Sequence, residues 1–139
     1  MISKDKLIKA YEGQTASELV KAPIYALQGV SEADAIRRDL SLCRETGCRL
    51  HIQHISTAAG VALVRDAQKE GLPVTAEATP HHLLLTCDDI PLDDSALVPR
   101  SSLIPHPSSL YKMAPPLGNH EDRAELRRAV KDGVLMFAT

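Results

Sequence analysis

His51 and His54 lie in the stretch HIQHIST, and His81 and His82 in TAEATPHHLLLT. Imidazole is the commonest protein metal ligand and a general acid or base near neutral pH. Each pair closes an apolar run of strand character. Side chains alternate across a strand, so residues one or three positions apart point to opposite faces. Each pair therefore offers one candidate to a shared site. His54 is nearer the carboxyl end of its strand, the end at which α/β sites are built. Adjacent strands run about 4.8 Å apart, and a Zn–N bond spans about 2.0–2.1 Å. Imidazoles from neighbouring strand ends can thus converge on one ion. The residues alone leave a second reading open, in which these histidines are packed or hydrogen-bonded.

Other chemistry is less supported. There is no HExxH motif and no glycine-rich phosphate loop. Glu77 shares a strand face with Thr75 and Thr79, and reads either as a carboxylate supporting the site or as a structural hydrogen-bonding group. Ser56 reads as a helix cap, because a Ser–His nucleophile system would need a third member. His106 and His120 fall in or beside a proline-rich stretch and read as surface residues.

The elements that must hold these residues alternate between helix and strand. Residues 3–12 read as a short helix, followed by an irregular stretch to Val30. Ser31 can cap a helix with Asp34 as its reciprocal partner, and Ile36, Leu40 and Cys43 share one face. Gly47 is a natural stop. Arg49 to Ile55 reads as a strand. Ser56 or Thr57 caps the next helix, whose apolar side is Val61, Leu63, Val64 and Ala67. Gly71 ends it, and Pro73 opens the strand VTAEAT. Such a strand–helix–strand unit is parallel. From Cys87 to Asn119 the chain is rich in proline. Asn119 then caps a helix buried through Leu126, Ala129 and Val130, Gly133 stops it, and VLMFA reads as a further strand. This alternation is that of an α/β fold.

Composition agrees with ordinary globular protein: of 139 residues, 44% are apolar and 24% charged. With three Tyr, one Phe and no Trp, the core must be built from Leu, Ile, Val and Ala. A net charge of -2 gives no reason to expect nucleic acid or an anionic membrane as partner. No apolar run approaches the roughly 18 residues of a membrane span. The N-terminus MISKDKLIKAYEG is too polar for a signal peptide. Three cysteines without a CxxC pattern suit free thiols in a reducing cytoplasm.

HIQHIST and TAEATPHHLLLT resemble dihydroorotase, of the cyclic amidohydrolase superfamily that also holds allantoinases and hydantoinases. GVSEADAIRRDLSLCRETG resembles the helix before the first of these His strands. KMAPPLGNHEDRAELRRAVKDGVLMFAT resembles the segment leading into the family's last metal-binding motif. TPHHLLLT and APPL favour dihydroorotase over its cousins. The resemblance implies part of a (β/α)8 TIM barrel of the metal-dependent hydrolase type, with three parallel strands and flanking helices. It implies one or two zinc ions that acidify water and polarise a carbonyl. The reaction implied is opening of dihydroorotate to N-carbamoyl-L-aspartate, and the reverse closure in pyrimidine biosynthesis. By position, His54 and His82 match the family's single-His metal ligands. A small-molecule substrate is the implied partner, with a homo-oligomer or aspartate carbamoyltransferase as further associations.

The sequence departs from the family in two ways. Where the family reads NPPLR, this chain has Ala114-Pro115-Pro116-Leu117-Gly118. The Asn amide and the Arg charge are missing, which puts substrate binding through that loop in question. The family's HxH motif and its bridging lysine or aspartate have no counterpart in the sequence. The TDHAPH-type motif, whose Asp is ligand and general base, is expected beyond Thr139. A full barrel needs about 250 residues, so residues 1–139 are expected to form an incomplete amidohydrolase barrel domain. By itself this chain is expected to be inactive and to bind zinc weakly. Two alternatives remain: a non-catalytic homologue acting as a scaffold for a pyrimidine-pathway enzyme, or a relative acting on allantoin or hydantoin.

Overall fold

A computed structural model describes residues 31–90, 111 and 113–138. Their elements are α1 (Glu32–Thr46), β1 (Leu50–Ile52), α2 (Ala58–Lys69), β2 (Val74–Ala78), α3 (Pro80–Leu84), α4 (His120–Lys131) and β3 (Met136–Phe137), with a 3-10 turn at Cys87–Asp89. The helix expected over residues 3–12 and most of the proline-rich stretch lie outside the described residues.

The three strands form one parallel sheet in the order β1-β2-β3. Leu50, His51 and Ile52 face Val74, Thr75 and Ala76 across the first pair, and Glu77 and Ala78 face Met136 and Phe137 across the second. Alternation gives β2 two unlike faces. Val74, Ala76 and Ala78 are buried in the core, while Thr75 is exposed and Glu77 half-buried. The core continues through Ile36, Leu40 and Cys43 of α1, Val61, Val64 and Ala67 of α2, and Leu126 and Ala129 of α4. Few aromatics are available, so small branched side chains fill it. Helix α2 packs against α1, α4 and β2. The (β/α) pattern with three parallel strands is the one the sequence implied.

Local chemistry sets the helix ends. Ser31 and Asp34 form a reciprocal capping box, as do Asn119 and Asp122. Gly47, at φ 68°, takes the left-handed residue that ends α1. Thr57 caps α2 by accepting from the Gly60 amide. Ser56, the other candidate, instead turns its hydroxyl to Glu32.

The strands are shorter than their apolar runs suggested. β1 ends at Ile52 rather than Ile55, and β3 keeps only Met136 and Phe137 of VLMFA. His81 and His82 lie in the short helix α3, which Pro80 opens at its first position. Arg127 and Arg123 of α4 donate to the carbonyls of Leu83 (2.7 Å) and Leu84 (3.1 Å), fixing the far end of α3.

Candidate functional site

The polar face of the sheet begins with the β1–β2 register. His51 stands opposite Thr75, and its Nδ1 is 2.8 Å from the Thr75 hydroxyl. Its Nε2 is 3.3 Å from Oε2 of Glu77. Which of the pair donates in the Thr75 bond depends on the His51 tautomer. Two residues of one strand thus orient one imidazole of its neighbour.

His54 lies beyond the end of β1, at φ 56°. A left-handed conformation at a residue other than glycine costs on the order of 1 kcal/mol or more and persists only where its surroundings enforce it. Here the next two amides are held. Ile55 N donates to the Glu77 carbonyl (2.9 Å), and Ser56 N donates to Oε2 of Glu32 (3.0 Å). Glu32 also accepts from the Ser56 hydroxyl, the Thr57 amide and the Thr57 hydroxyl. One carboxylate of α1 therefore ties the turn after His54 to the start of α2.

This turn changes which histidines meet. Strict alternation separates His51 from His54, yet both rings reach the Glu77 carboxylate, His54 through Nδ1 at 3.3 Å from Oε1. The left-handed residue breaks the strand's alternation and brings His54 back to the same side. The His54 ring is partly exposed, but its Nδ1 is buried and has no hydrogen-bond partner, because Glu77 is near without being aligned.

His82 is in a different position. It is 2% exposed, and both ring nitrogens are engaged. Nε2 donates to the Pro115 carbonyl at 2.9 Å, since a carbonyl can only accept. Nδ1 is 2.7 Å from the Thr79 hydroxyl, which is also 2.9 Å from Nε2 of His81. The bonds run in one direction: His81 Nε2–H to Thr79 Oγ1, Thr79 O–H to His82 Nδ1, and His82 Nε2–H to Pro115. Burial pushes the His82 pKa down, with the charges of His81 and His54 acting the same way and the Pro115 carbonyl opposing. His81 is lowered by burial and then by His54. Both are neutral imidazoles at neutral pH.

Glu32, His51, Gln53, His54 and Pro115 are among the residues that line one cleft of about 460 Å³, whereas Glu77, His81 and His82 are not. Among the described residues no group of three or more His, Cys, Asp or Glu side chains could hold a metal ion. His54 fits the part of a single ligand, having a buried ring nitrogen without a partner. His82 as placed does not, because both its nitrogens are committed.

No family model matches the sequence. Curated relatives do. The dihydroorotase of Staphylococcus epidermidis (strain RP62A) is 41% identical over 125 residues, 90% of this chain and 25% of the relative. That of Geobacillus sp. (strain WCH70) is 43% identical over 114 residues, 82% of this chain and 23% of the relative.

The chain is similar in sequence to a segment of the dihydroorotases.

It spans about a quarter of the length of the relatives it matches. Among solved structures, the D-hydantoinase of Bacillus sp. AR9 superposes on 97% of this chain and over 27% of its own, with TM-score 0.73 and 24% identity. The L-hydantoinase (dihydropyrimidinase) of Arthrobacter aurescens covers 98% and 27%, with TM-score 0.69 and 27% identity. The fold is that of a segment of these TIM-barrel hydantoinases.

Three participants were not legible in the sequence. Glu32 carried no signal beyond a helix's first turn. Asp122, which closes the capping box of α4 with Asn119, also accepts from the Ala58 amide at 2.8 Å. The Pro115 carbonyl is backbone, and residue types say nothing about it. Each contact joins positions distant in sequence.

Proposed function

We propose that this chain supplies part of the active centre of a zinc-dependent dihydroorotase, which adds water across the ring C–N bond of dihydroorotate to give N-carbamoyl-L-aspartate. The reverse closure would serve pyrimidine biosynthesis, in the cytoplasm. The observation that supports the reading best is His54: a partnerless buried imidazole nitrogen, set by an enforced turn at the carboxyl end of a parallel strand. Open α/β sheets and barrels build their sites at that end.

Zinc, when bound, would acidify water and polarise the ring carbonyl. His54 is the residue we assign as its ligand from this stretch. Glu77 comes within 3.3 Å of both His54 and His51, and it places a negative charge beside the His54 nitrogen that the ion would take. His82, which the family resemblance paired with His54, would have to surrender its bond to Pro115 to serve as a second ligand. The remaining ligands and the general base belong to segments other than the described ones.

A hydantoin-type ring is the second reading, favoured by the solved hydantoinases that share this fold. Turnover of dihydroorotate, hydantoin and allantoin by the full-length protein, compared side by side, decides between them. Dihydroorotate is expected to be the preferred substrate. Preference for hydantoin would establish the second reading, and no turnover of any of the three by zinc-loaded protein would contradict both.

A further inference from the structure

The described residues include a buried histidine that the proposed chemistry does not use. His82 spans 33 positions of sequence to reach the Pro115 carbonyl. Its other nitrogen is held by Thr79, at the end of β2. Pro115 is buried and lines the same cleft as His51 and His54. The strip from Ala114 to Gly118 is where the family's substrate loop falls by resemblance, so its placement shapes whatever enters the cleft.

The Gly118 carbonyl accepts from the Cys87 amide at 2.8 Å, and Leu117 is 4% exposed in the interior. Proline has no amide proton to give, so Pro115 and Pro116 can be tied only through their carbonyls or by packing. His82 provides such a tie for Pro115, from inside the protein.

We propose that His82 is a positioning residue: the Thr79–His82–Pro115 chain fastens the Ala114–Gly118 strip as a wall of the cleft that holds His54, and His82 is not a metal ligand. The chemistry of the partners supports this. Thr79 and Pro115 occupy both nitrogens, each at hydrogen-bond distance, in the arrangement of a neutral imidazole with its proton on Nε2. A metal at either nitrogen would displace one of them. The buried group so released would cost about 1–3 kcal/mol.

The inference rests on the proposed site at His54 only for what the wall encloses. The deciding experiment needs no substrate, so its outcome is independent of which ring is hydrolysed. Amide hydrogen exchange of Ala114, Leu117 and Gly118 and bound zinc per chain are measured on the full-length protein, on His82→Ala and on His82→Gln. Gln offers an amide N–H near the position of Nε2 but is a poor metal ligand. His82→Ala is expected to exchange roughly tenfold faster in this strip, the effect of one lost buried hydrogen bond. His82→Gln is expected to exchange as the parent does, and zinc content is expected to be equal in all three. His82→Gln is decisive by itself if the alanine variant does not fold. Fast exchange in His82→Gln, or loss of its zinc relative to the parent, would overturn the proposal. In variants that turn over substrate, the expected mark is a raised KM with kcat retained for Ala, reversed in Gln.

Discussion

Oε1 of Glu77 stands 3.3 Å from Nδ1 of His54, although the two residues come from different strand ends. The proximity follows from one backbone torsion, the φ of 56° at His54. Without it His54 would continue the alternation of β1 and turn away from the face that Glu77 occupies. His51 meets the other oxygen of the same carboxylate. Glu77 is thus shared by two imidazoles, and its loss should be felt at both.

Removing that carboxylate's charge is the first test. With an ion on Nδ1 of His54, Glu77→Gln would remove a nearby negative charge and should weaken zinc binding about tenfold, the effect of roughly 1.4 kcal/mol of lost charge attraction. Competition with a chromogenic chelator measures it. Unchanged affinity would remove Glu77 from any supporting part.

Glu32 offers a test of the turn. Its carboxylate accepts from two amides and two hydroxyls of Ser56 and Thr57, next to the buried Ile55. Glu32→Ala should destabilise the protein by about 3 kcal/mol, because hydrogen bonds to a charged acceptor are worth more than neutral ones and the donors are left partly buried. Urea unfolding gives the value. A loss of a few tenths of a kcal/mol would show that water replaces the carboxylate.

Gly118 stands where the family has arginine. A Cβ there would lie 2.7 Å from Cβ of Asp122 and 2.8 Å from the Ser56 carbonyl. Asp122 is bound to both Asn119 and Ala58, so it has little room to move. Restoring the family residue by Gly118→Arg should therefore cost about 1–3 kcal/mol, as overpacking does. A more stable variant in thermal unfolding would show that the strip can shift outward.

The pH dependence of stability follows from His82. Burial lowers its pKa below the ordinary 6.5, so below that value the unfolded chain binds a proton that the folded one excludes. Stability then rises with pH across the window from the lowered value up to about 6.5 and is complete above it. His81 is shifted in the same direction and adds to the slope. His82→Gln should flatten the acid limb of a urea-midpoint profile between pH 5 and 7, roughly the range in which histidine titrates. An unaltered acid limb would mean that His82 is not the group responsible.

Much of this architecture was legible in the sequence. Ser31, Gly47, Asn119 and the face of Ile36, Leu40 and Cys43 act locally, and each took the part its type and spacing implied. The site was legible as a region, since both histidine pairs do fall at or beyond neighbouring strand ends. The hydrogen-bond partners of each ring were not. Alternation separates His51 from His54 only while the strand lasts, and β1 stops at Ile52. The short helix opened by Pro80 turned His82 inward. The partner that commits its Nε2 is a carbonyl 33 residues away, which no pattern of residue types could announce.

His54, as proposed, belongs to the metal-dependent centre of a cyclic amide hydrolase. Bound zinc and dihydroorotate turnover, measured on the same preparations of the full-length protein and of His54→Ala, decide whether it does. The parent is expected to hold zinc and to open dihydroorotate, losing activity on chelation and regaining it with zinc. His54→Ala is expected to remain folded, bind less zinc and lose turnover. A folded His54→Ala protein that keeps both its zinc and its turnover would contradict the claim.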